Sequence, residues 1–457
     1  MKASIAVLIL TILCISLMLG QQSVSLSVDK VVAIALQKNI SVIQAQNSLE
    51  GQQSATTAAV GGLLPSLDLS ASIGQFQNWS PVTTGTRTLS DGTVIQNSQG
   101  GYSRSYSNGA AITGTYTLFN GFANTSNVSR ARSDANSSEY SLHRTEQGTI
   151  LQAHTLFLNV YRTYELLKVN EDNLKRSKEQ LEQIVESNKV GSVALADVYH
   201  QQVQVGTDEF NLIQAQANHE SAKIDLISFL GTDASAEYTF DFTGIPTDID
   251  TTTFASLNTQ YADMNKLVSS AIANRPDYLA SVENLNSTDA SVTVARANYF
   301  PTINLRGNYG FGGPQLDQLM INQFTDYRGL SFQLSASLPI FNGFSTQNQV
   351  EQAQVLRRNA DAQVKQNELQ IRSDIRKALL GLEAAEKQVT VSQSTVVASQ
   401  MDQQIASEKY HLGAGTLLDL LIATANYTNS MSNKVNAVTG YILAQKQVEY
   451  VLGEISK

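Results

Sequence analysis

Residues 409–420 read KYHLGAGTLLDL, and residues 188–199 read NKVGSVALADVY. In each stretch a glycine, Gly413 or Gly191, precedes an aspartate by six positions, and the two glycines are 222 positions apart. Neither stretch carries a nucleophile, a metal-binding pattern or a phosphate-binding loop. A glycine at the end of a periodic apolar run is typical of a helix terminus. The pair predicts one kind of turn between helices, made twice in the chain.

The same interval of 222 positions relates other landmarks. FNGF occurs at Phe119–Phe122 and at Phe341–Phe344, and Leu230–Gly231 returns as Leu452–Gly453. Spacing kept across more than 100 positions indicates an internal repeat.

Upstream of FNGF the interval is 236, because LPSLDL at 64–69 matches FPTINL at 300–305. The difference of 14 positions falls in a segment rich in Gly, Ser, Thr and Asn, residues 77–109. We predict a polar loop there, longer than its counterpart at 312–328, since loops absorb insertions.

The chain is therefore interpreted as two copies of one unit, 24–231 and 260–453. A connector rich in Thr and Asp, residues 232–259, joins them. We expect this connector to form an equatorial segment. The tail after Gly453 is only four residues long, too short to build such a domain.

Composition and the amino terminus indicate export. The formal charge of −9, from 40 acidic and 31 basic residues in 457, argues against nucleic-acid binding. Residues 1–20 have one lysine and then an apolar run, which predicts a signal peptide; the alternative is a membrane anchor. The only cysteine, Cys14, lies in this segment, and bulky Leu13 before it argues against lipidation. Without this segment no disulfide can form.

Each unit begins with a helix and continues as alternating strands. Helices are predicted over 28–62 and 263–299, with Pro65 and Pro301 just beyond them. The strands are predicted at about 65–76, 110–119, 301–311 and 329–340. Each has the length and the one-sided apolar pattern of a transmembrane β-strand, although a soluble amphipathic hairpin shares that pattern.

Each FNGF is followed by a long helical hairpin. The predicted hairpins are 124–230 and 346–452, with turns after 188 and 410. A seven-residue apolar repeat indicates coiled-coil packing. Its positions are Val160, Leu167, Leu174 and Leu181 in the first copy, and Leu382, Val389, Val396 and then Gln403 in the second. Helices this long, on the order of 100 Å, must pack on neighbouring helices.

These elements require an assembly. Four strands cannot close a barrel, and open sheet edges are not tolerated in lipid. The seams of the long helices also need partners. The sequence therefore predicts a homo-oligomer with a membrane end and a helical end.

The duplicated order of helix, two strands, long helix, glycine turn and returning helix resembles the TolC-like outer membrane efflux proteins (outer membrane factors). The stretches that carry the resemblance are ANRPDYLAS at 273–281, FNGF in both copies, and YHLGAGTLLDLLIATANY at 410–427. It extends over nearly all of the chain after the signal peptide.

The resemblance implies a mainly α fold with β, as a homotrimer. Twelve strands would form one outer-membrane β-barrel in contact with lipid, continuous with a periplasmic α-barrel. It implies an exit duct for small molecules or polypeptides, without catalysis or cofactors. Its partners would be a periplasmic adaptor (membrane fusion) protein and an inner-membrane pump of RND, ABC or MFS type. The substrate, and drug efflux against type I secretion, stay open.

The resemblance also implies functional positions at the turns. Asp419, with Asp197 as a second candidate, would form an acidic ring at the periplasmic entrance. Gly415 and Ile422 depart from family members that carry a basic and an acidic residue there, so the lock of the closed entrance is not defined. The residues expected to dock the adaptor at the hairpin tips are Gly191, Leu195, Gly413 and Leu417, and we expect Leu195, Leu417 and Leu418 to close the tips.

The residues also bear on two other classes of protein, an enzyme and a structural protein. An enzyme is disfavoured because the five histidines are scattered without metal or triad spacing. A secreted or surface-attached coiled-coil protein without a pore remains the alternative function.

Overall fold

The computed structural model describes residues 24–232, 238–254, 259, 261–313 and 328–455. The predicted signal peptide with Cys14, and most of the segment 312–328, lie outside the described residues. The chain forms two compact units. The helical unit comprises the segment ending at Glu50, Asn136–Val282 and the segment from Ala362 onward; the strand unit comprises Gly51–Ala135 and Glu283–Asp361. Both units draw on both repeats.

Most of the described chain is helical. The helices of the first repeat are α1 (Val28–Lys38), α2 (Ile40–Gly61), α3 (Ala123–Lys189) and α4 (Leu195–Phe229). Those of the second are α5 (Met264–Asn274), α6 (Pro276–Arg296), α7 (Ser345–His411) and α8 (Leu417–Leu452). The long helices α3 and α7 each have 67 residues and no proline, which would interrupt them. None of the described helices is apolar enough over a sufficient length to cross a bilayer.

Each predicted first helix is divided in two. Asn39 and Arg275, which are equivalent at the 236 interval, both adopt extended backbone between helices. The Asn39 side chain accepts from Ser41 N at 2.9 Å and donates to Phe229 O at 3.0 Å, which replaces helical hydrogen bonds. Arg275 precedes Pro276, whose ring disfavours helical backbone in the residue before it.

The RPD part of ANRPDYLAS forms an ion-pair clasp at this second break. The guanidinium of Arg275, 4% exposed, donates to Asp277 at 2.6 Å and to Asp374 of α7 at 3.2 Å. Arg144 of α3 lies 3.8 Å over the ring of Tyr450 and 3.7 Å from Asp277. Burial alone would raise the pKa of Asp277, but the hydrogen bonds from Arg275 and the charge of Arg144 hold it below its usual value.

Apolar packing in the helical unit follows the predicted seams. Val160 and Leu174 of α3 and Leu382 and Val389 of α7 are buried, and the other four seam positions are half-buried. The connector also contributes to these cores: β4 (Tyr238–Phe240) pairs in parallel with β1 (Val24–Leu26), and Phe254 packs on the α7–α8 pair.

The strand unit holds a four-stranded antiparallel sheet. Its strands are β2 (Ser66–Thr88), β3 (Val94–Asn120), β5 (Thr302–Gly313) and β6 (Arg328–Ser337), in that order across the sheet. One face is apolar along the register, as in the row Leu69, Ile112, Tyr309 and Leu330. Most of these side chains are solvent-exposed in the single chain.

The predicted loop at 77–109 is wrong. Strands β2 and β3 continue through it, paired as far as Thr88 opposite Val94. The pairing is interrupted once, between Ser80 and Thr83, around Pro81, which lacks a backbone N–H. The sequence pattern fails because most side chains in this stretch are polar, so the few apolar side chains do not form a regular alternation.

Candidate functional site at the two hairpin turns

The two turns have the same backbone. Gly191 (φ 78°) and Gly413 (φ 69°) adopt the left-handed conformation, which glycine reaches without steric cost. Gly191 N donates to Asn188 O at 2.9 Å and Gly413 N to Tyr410 O at 3.0 Å. The next residue closes a wider hydrogen-bonded ring in both copies: Ser192 N to Ser187 O, and Ala414 N to Lys409 O. This pattern ends α3 and α7 by a Schellman motif.

The first turn is held by side-chain hydrogen bonds from Asn188 of α3 and from Ser192 in the turn itself. Asn188 Nδ2 donates to Val193 O at 2.9 Å, and Ser192 Oγ donates to Ser187 O at 2.8 Å. Helix α4 then begins at Leu195 behind Ala194, which has no side chain able to cap the helix. Asp197, in the first turn of α4, is half-buried.

The second turn is closed by a capping box. Thr416 Oγ1 accepts from Asp419 N at 3.2 Å, and Asp419 Oδ2 accepts from Thr416 N at 3.2 Å and from Thr416 Oγ1 at 2.7 Å. The hydrogen bond from the Thr416 hydroxyl, followed by that from its backbone N–H, lowers the pKa of Asp419. Asp419 is solvent-exposed. Its carboxylate therefore stays ionised and satisfies the first turn of α8.

An apolar cluster joins the two hairpins just behind the turns. Its buried members are Ile184 of α3, Val198 of α4 and Leu417 of α8. Half-buried side chains surround them: Leu181, Val185, Val193, Tyr410 and Leu421. We call this set the tip cluster. It fixes the first turn relative to the second within one chain.

Tyr410 brings the two turns into electrostatic contact. Its hydroxyl oxygen is buried and has no hydrogen-bond partner among the described residues. Burial, and then the negative charge of Asp197, raise the pKa of Tyr410. The charge of Asp197 in the first hairpin thus reaches Tyr410 in the last turn of α7. The two equivalent aspartates, Asp197 and Asp419, have different surroundings.

A polar cavity of about 170 Å³ lies between the hairpins, further from the turns than the tip cluster. Asn173 Nδ2 and Gln204 Nε2 donate to the buried Asp208 at 2.9 and 3.0 Å, and Thr428 Oγ1 of α8 donates to Asn173 at 2.8 Å. Gln201 Oε1 lies on the lining with no partner among the described residues. Polar groups around such a volume are the kind that ordered water bridges. The hairpins therefore meet through a polar seam behind an apolar tip.

The predicted site residues are placed unequally. Leu195 (56% exposed) and Leu418 (65%) are exposed and do not belong to the tip cluster, so the expectation that they close the tips is wrong. Leu417 (6% exposed) does so instead, and it is not available at the surface as a docking residue. The strongly exposed apolar side chains at the turns are Val190 (81%) and Leu412 (83%), which the sequence analysis missed.

Two further residues were missed although the sequence carried a signal for one of them. Thr416-x-x-Asp419 has the spacing of a capping box and precedes an apolar run. No sequence pattern relates Tyr410 to Asp197, because their proximity depends on how the hairpins pack. No group of three or more His, Cys, Asp or Glu side chains able to hold a metal occurs in the described part of the chain.

Known proteins share this combination of two helical hairpins and an antiparallel sheet. The profile of the outer membrane efflux protein family matches residues 31–232 and 267–454. The chain belongs to this family. Membership confirms the resemblance drawn from the sequence and places the chain among the outer membrane efflux proteins.

Individual relatives of this outer membrane efflux protein are distant. It is 24% identical over 306 residues to the outer membrane efflux protein BepC of Brucella suis, and 23% identical over 327 residues to the outer membrane protein TolC of Escherichia coli. These matches cover 67% and 69% of this chain, but only 63% of either relative.

Solved structures share the fold over a greater length. The Campylobacter jejuni CmeC outer membrane channel superposes with a TM-score of 0.74 at 20% identity, covering 93% of this chain and 85% of CmeC. CusC gives a TM-score of 0.76 at 15% identity, covering 94% of this chain and 93% of CusC.

Proposed function

We propose that the chain is the outer-membrane exit duct of a tripartite efflux or secretion system, and that it acts as a homotrimer. The observation that carries the proposal is the duplicated hairpin with its twin left-handed turns, continuous in sequence with strands whose apolar face is exposed. One chain supplies two such hairpins and four strands, so a ring of copies supplies a continuous helical wall and a continuous sheet. Transport through it is passive, and the energy comes from the inner-membrane pump.

The membrane end is the sheet. Its apolar face presents leucine, isoleucine, phenylalanine and tryptophan side chains, and lipid is the surrounding that removes them from water. Three chains would contribute twelve strands to one closed barrel, which satisfies every strand edge.

The entrance end consists of the two turns. In a trimer Asp419 occurs three times around the mouth, and an exposed ring of carboxylates attracts cations. Asp197 serves a different purpose: its charge acts on Tyr410 of the other hairpin, and a hydrogen bond from the otherwise unpartnered Tyr410 hydroxyl to Asp197 would hold the hairpins together when the entrance is closed. Such a hydrogen bond would supply a lock despite Gly415 and Ile422.

The adaptor docks on the exposed apolar side chains of the turns. Val190 and Leu195 offer such a surface on the first hairpin, and Leu412 and Leu418 on the second. Gly191 and Gly413 shape these surfaces rather than contact the partner. The pump behind the adaptor, of RND, ABC or MFS type, supplies the energy, and the duct supplies a path to the exterior for small molecules or polypeptides.

The duct is tested by purifying the full chain from outer membranes and adding it to planar bilayers. We expect a trimeric mass and discrete conductance steps. A monomer or a trimer that never conducts, recovered as a soluble protein, would instead support the alternative of a coiled-coil structural protein without a pore.

The acidic ring is tested separately from the helix cap at the same position. Asp419→Asn removes the charge but keeps a capping side chain, whereas Thr416→Ala removes the cap partner and keeps the charge. We expect only Asp419→Asn to lower the preference of the channel for cations. Equal effects of the two variants on cation preference, or no effect of either, would reject the ring. Asp225, an exposed acid further along α4, provides the control: Asp225→Asn changes the net charge by the same amount away from the entrance.

The lock is tested by Tyr410→Phe and Asp197→Asn. Each removes one member of the facing pair, and we expect a larger resting conductance from both. Unchanged closing in both variants would reject the lock and leave the duct itself intact. Crosslinking from cysteines at Val190 and Leu412 tests the docking surface, which is rejected if the adaptor is captured only elsewhere.

A further inference from the structure

The apolar face of β3 changes character along the strand. From Leu118 back to Ala110, the side chains on this face are apolar, aromatic or glycine, and they continue the apolar rows of the neighbouring strands. Further along, the same alternation leads to Tyr106, Arg104 and Tyr102. Arg104 is the only charged residue of β3. A lone cation therefore shares a face with the side chains that we assign to lipid.

The length of the strand places this cation at the edge of the bilayer. Strands β2 and β3 pair without interruption from Ser66 to Ser80, so the alternation is kept. Tyr106 is twelve residues from Leu118, or about 40 Å at roughly 3.4 Å per residue. With a strand tilt of about 35–45°, the rise along the membrane normal is about 30 Å, whereas the apolar band of a membrane barrel is about 25 Å tall. Tyr106 and Arg104 therefore fall at the level of the lipid headgroups.

The membrane leaflet follows from the direction of the chain. Leu118 lies near the end of β3 that leads into the long helix α3, and Arg104 lies toward the opposite end of the strand. In the proposed duct the helices extend into the periplasm. Arg104 is then on the outer leaflet.

Two tyrosines hold the guanidinium of Arg104 at this level. Arg104 Nε donates to Tyr102 Oη at 3.1 Å, and Arg104 Nη1 lies 3.5 Å from Tyr106 Oη. A hydroxyl accepts a hydrogen bond without neutralising the charge. Three of the five N–H groups remain, with at least one on each Nη nitrogen. That edge of a guanidinium is the one that can bind two phosphate oxygens at once.

The surroundings of Arg104 supply amphipathic rings and no carboxylate from the paired strand. Strands β2 and β3 contain one acidic residue, Asp68, and the alternation places it on the polar face. On β2, Trp79 lies against Tyr102, with ring centroids 5.2 Å apart. Tryptophan and tyrosine favour the boundary between hydrocarbon and headgroups. Arg104 itself is solvent-exposed in the single chain.

We infer that Arg104, held between Tyr102 and Tyr106, binds a phosphate group on a lipid of the outer leaflet. This inference rests on the proposed membrane-spanning sheet and adds a specific headgroup contact to it. Charge complementarity carries it, because a phosphate both neutralises the guanidinium and accepts its remaining hydrogen bonds. The ligand is a lipid rather than free phosphate, because acyl chains attached to a phosphate at Arg104 would extend along the apolar row toward Leu118.

Arg306 provides a matched control in the same sheet. It lies on β5 opposite Thr115 of β3 and Gln333 of β6, in a row of the polar face. Like Arg104 it is solvent-exposed. Substitution of either arginine by glutamine removes one positive charge, but only Arg104 lies on the face that we assign to lipid.

The site is tested with the full-length protein, solubilised from membranes in a neutral detergent. Native mass spectrometry measures the retention of dioleoyl phosphatidic acid and of dioleoylglycerol, which has the same acyl chains and no phosphate. We expect wild type to retain phosphatidic acid preferentially. Arg104→Gln should lower this retention at least about tenfold, as for loss of a hydrogen bond to a charged group. Arg306→Gln should retain as much phosphatidic acid as wild type.

Two further variants separate the charge of Arg104 from its orientation. Tyr102→Phe/Tyr106→Phe keeps the rings and the charge but removes the hydroxyls that position the guanidinium, so we expect a several-fold loss of retention. Arg104→Lys keeps the charge without the planar fork and should fall between wild type and Arg104→Gln. Inorganic phosphate in excess should not displace the lipid. Its displacement by equimolar phosphate would show a site for a free anion and overturn the lipid as ligand.

The remaining outcomes decide between this inference and the proposed function. Equal losses in Arg104→Gln and Arg306→Gln would overturn the site. Trimeric mass and bilayer conductance are recorded for every variant. A conducting wild-type trimer that retains both lipids equally would overturn the inference alone, whereas a monomer without conductance would overturn both.

Discussion

The two turns that join the long helices share a backbone, but their side chains have different roles. In the second turn Thr416 and Asp419 satisfy each other and the start of α8. In the first, Ala194 provides no cap, and Asp197 is left to face Tyr410 of the other hairpin. The duplicated motif therefore holds one aspartate that stabilises its own helix and one that acts between helices.

A second pair of equivalent residues differs in the same way. Leu417 is buried in the tip cluster, whereas its counterpart Leu195 is 56% exposed. Because the hairpins pack asymmetrically within one chain, the two repeats share the backbone geometry of the turn but differ in the burial of equivalent side chains. Turn geometry is a local property, and burial is a property of the partner helix.

The largest difference is expected between these two leucines. Leu417→Ala should lower the free energy of local unfolding at the tips by about 2 kcal/mol, the low end for a buried leucine, because the tip cluster is small. Leu195→Ala should stay within about 0.5 kcal/mol, as for an exposed residue. Amide hydrogen exchange over residues 181–198 and 410–421 measures both. Equal protection losses would contradict the asymmetry of the tip cluster.

The two glycines should respond alike to substitution by alanine, because both have the same left-handed backbone conformation. Gly191→Ala and Gly413→Ala should each cost about 1–2 kcal/mol, the strain of a left-handed residue with a Cβ. No neighbouring atom lies within 4 Å of either Cβ position, so strain alone acts. Gly381→Ala, within α7, is the control and should stabilise by up to about 1 kcal/mol. A large difference between positions 191 and 413 in local hydrogen exchange would contradict the shared geometry.

The features that the sequence predicted well are those set by local chemistry. The absence of proline over α3 and α7, and the glycines that follow them, located both hairpins. Pro276 also signals the helix break at Arg275. A single helix was nevertheless predicted there, because the helical periodicity continues on both sides of the proline.

The features that the sequence could not give depend on contacts distant in the chain. Burial of Leu417 rather than Leu195, and the position of Asp197 beside Tyr410, arise only when the hairpins pack on each other. The extension of β2 and β3 was missed for another reason: most of its side chains are polar, so it lacks the regular alternation from which strands are recognised.

Removing the cap should affect only the second turn. Thr416→Ala should destabilise the first turn of α8 by about 1 kcal/mol, because the amide of Asp419 loses its acceptor. Thr416→Ser, which keeps the hydroxyl, should restore most of that loss. Hydrogen exchange of residues 417–420 is the measurement, and full protection in the alanine variant would show that the capping box contributes nothing.

Introducing a cap into the first turn should make its side-chain hydrogen bonds resemble those of the second turn. Ala194→Thr creates the spacing Thr-x-x-Asp with Asp197, as in the second turn. We expect slower exchange at the start of α4, by a few tenths to about 1 kcal/mol. Because Asp197 is drawn toward the cap, its effect on Tyr410 should weaken, and the pKa of Tyr410 should fall toward its usual value. An unchanged tyrosine titration would mean that Asp197 serves both partners at once.

The smallest effect is the pH dependence of the second cap. The folded-state pKa of Asp419 lies below the ordinary value of 3.8, so its contribution is fully present above that value. The contribution is lost as the pH falls through the lower, folded-state pKa. The difference in α8 first-turn protection between wild type and Asp419→Asn should therefore be constant near neutral pH and shrink in acid. In the Thr416→Ala background the same difference should be smaller at every pH, because the hydroxyl and its hydrogen bond to the carboxylate are gone. A difference that grows on acidification would place the stabilising charge on another group.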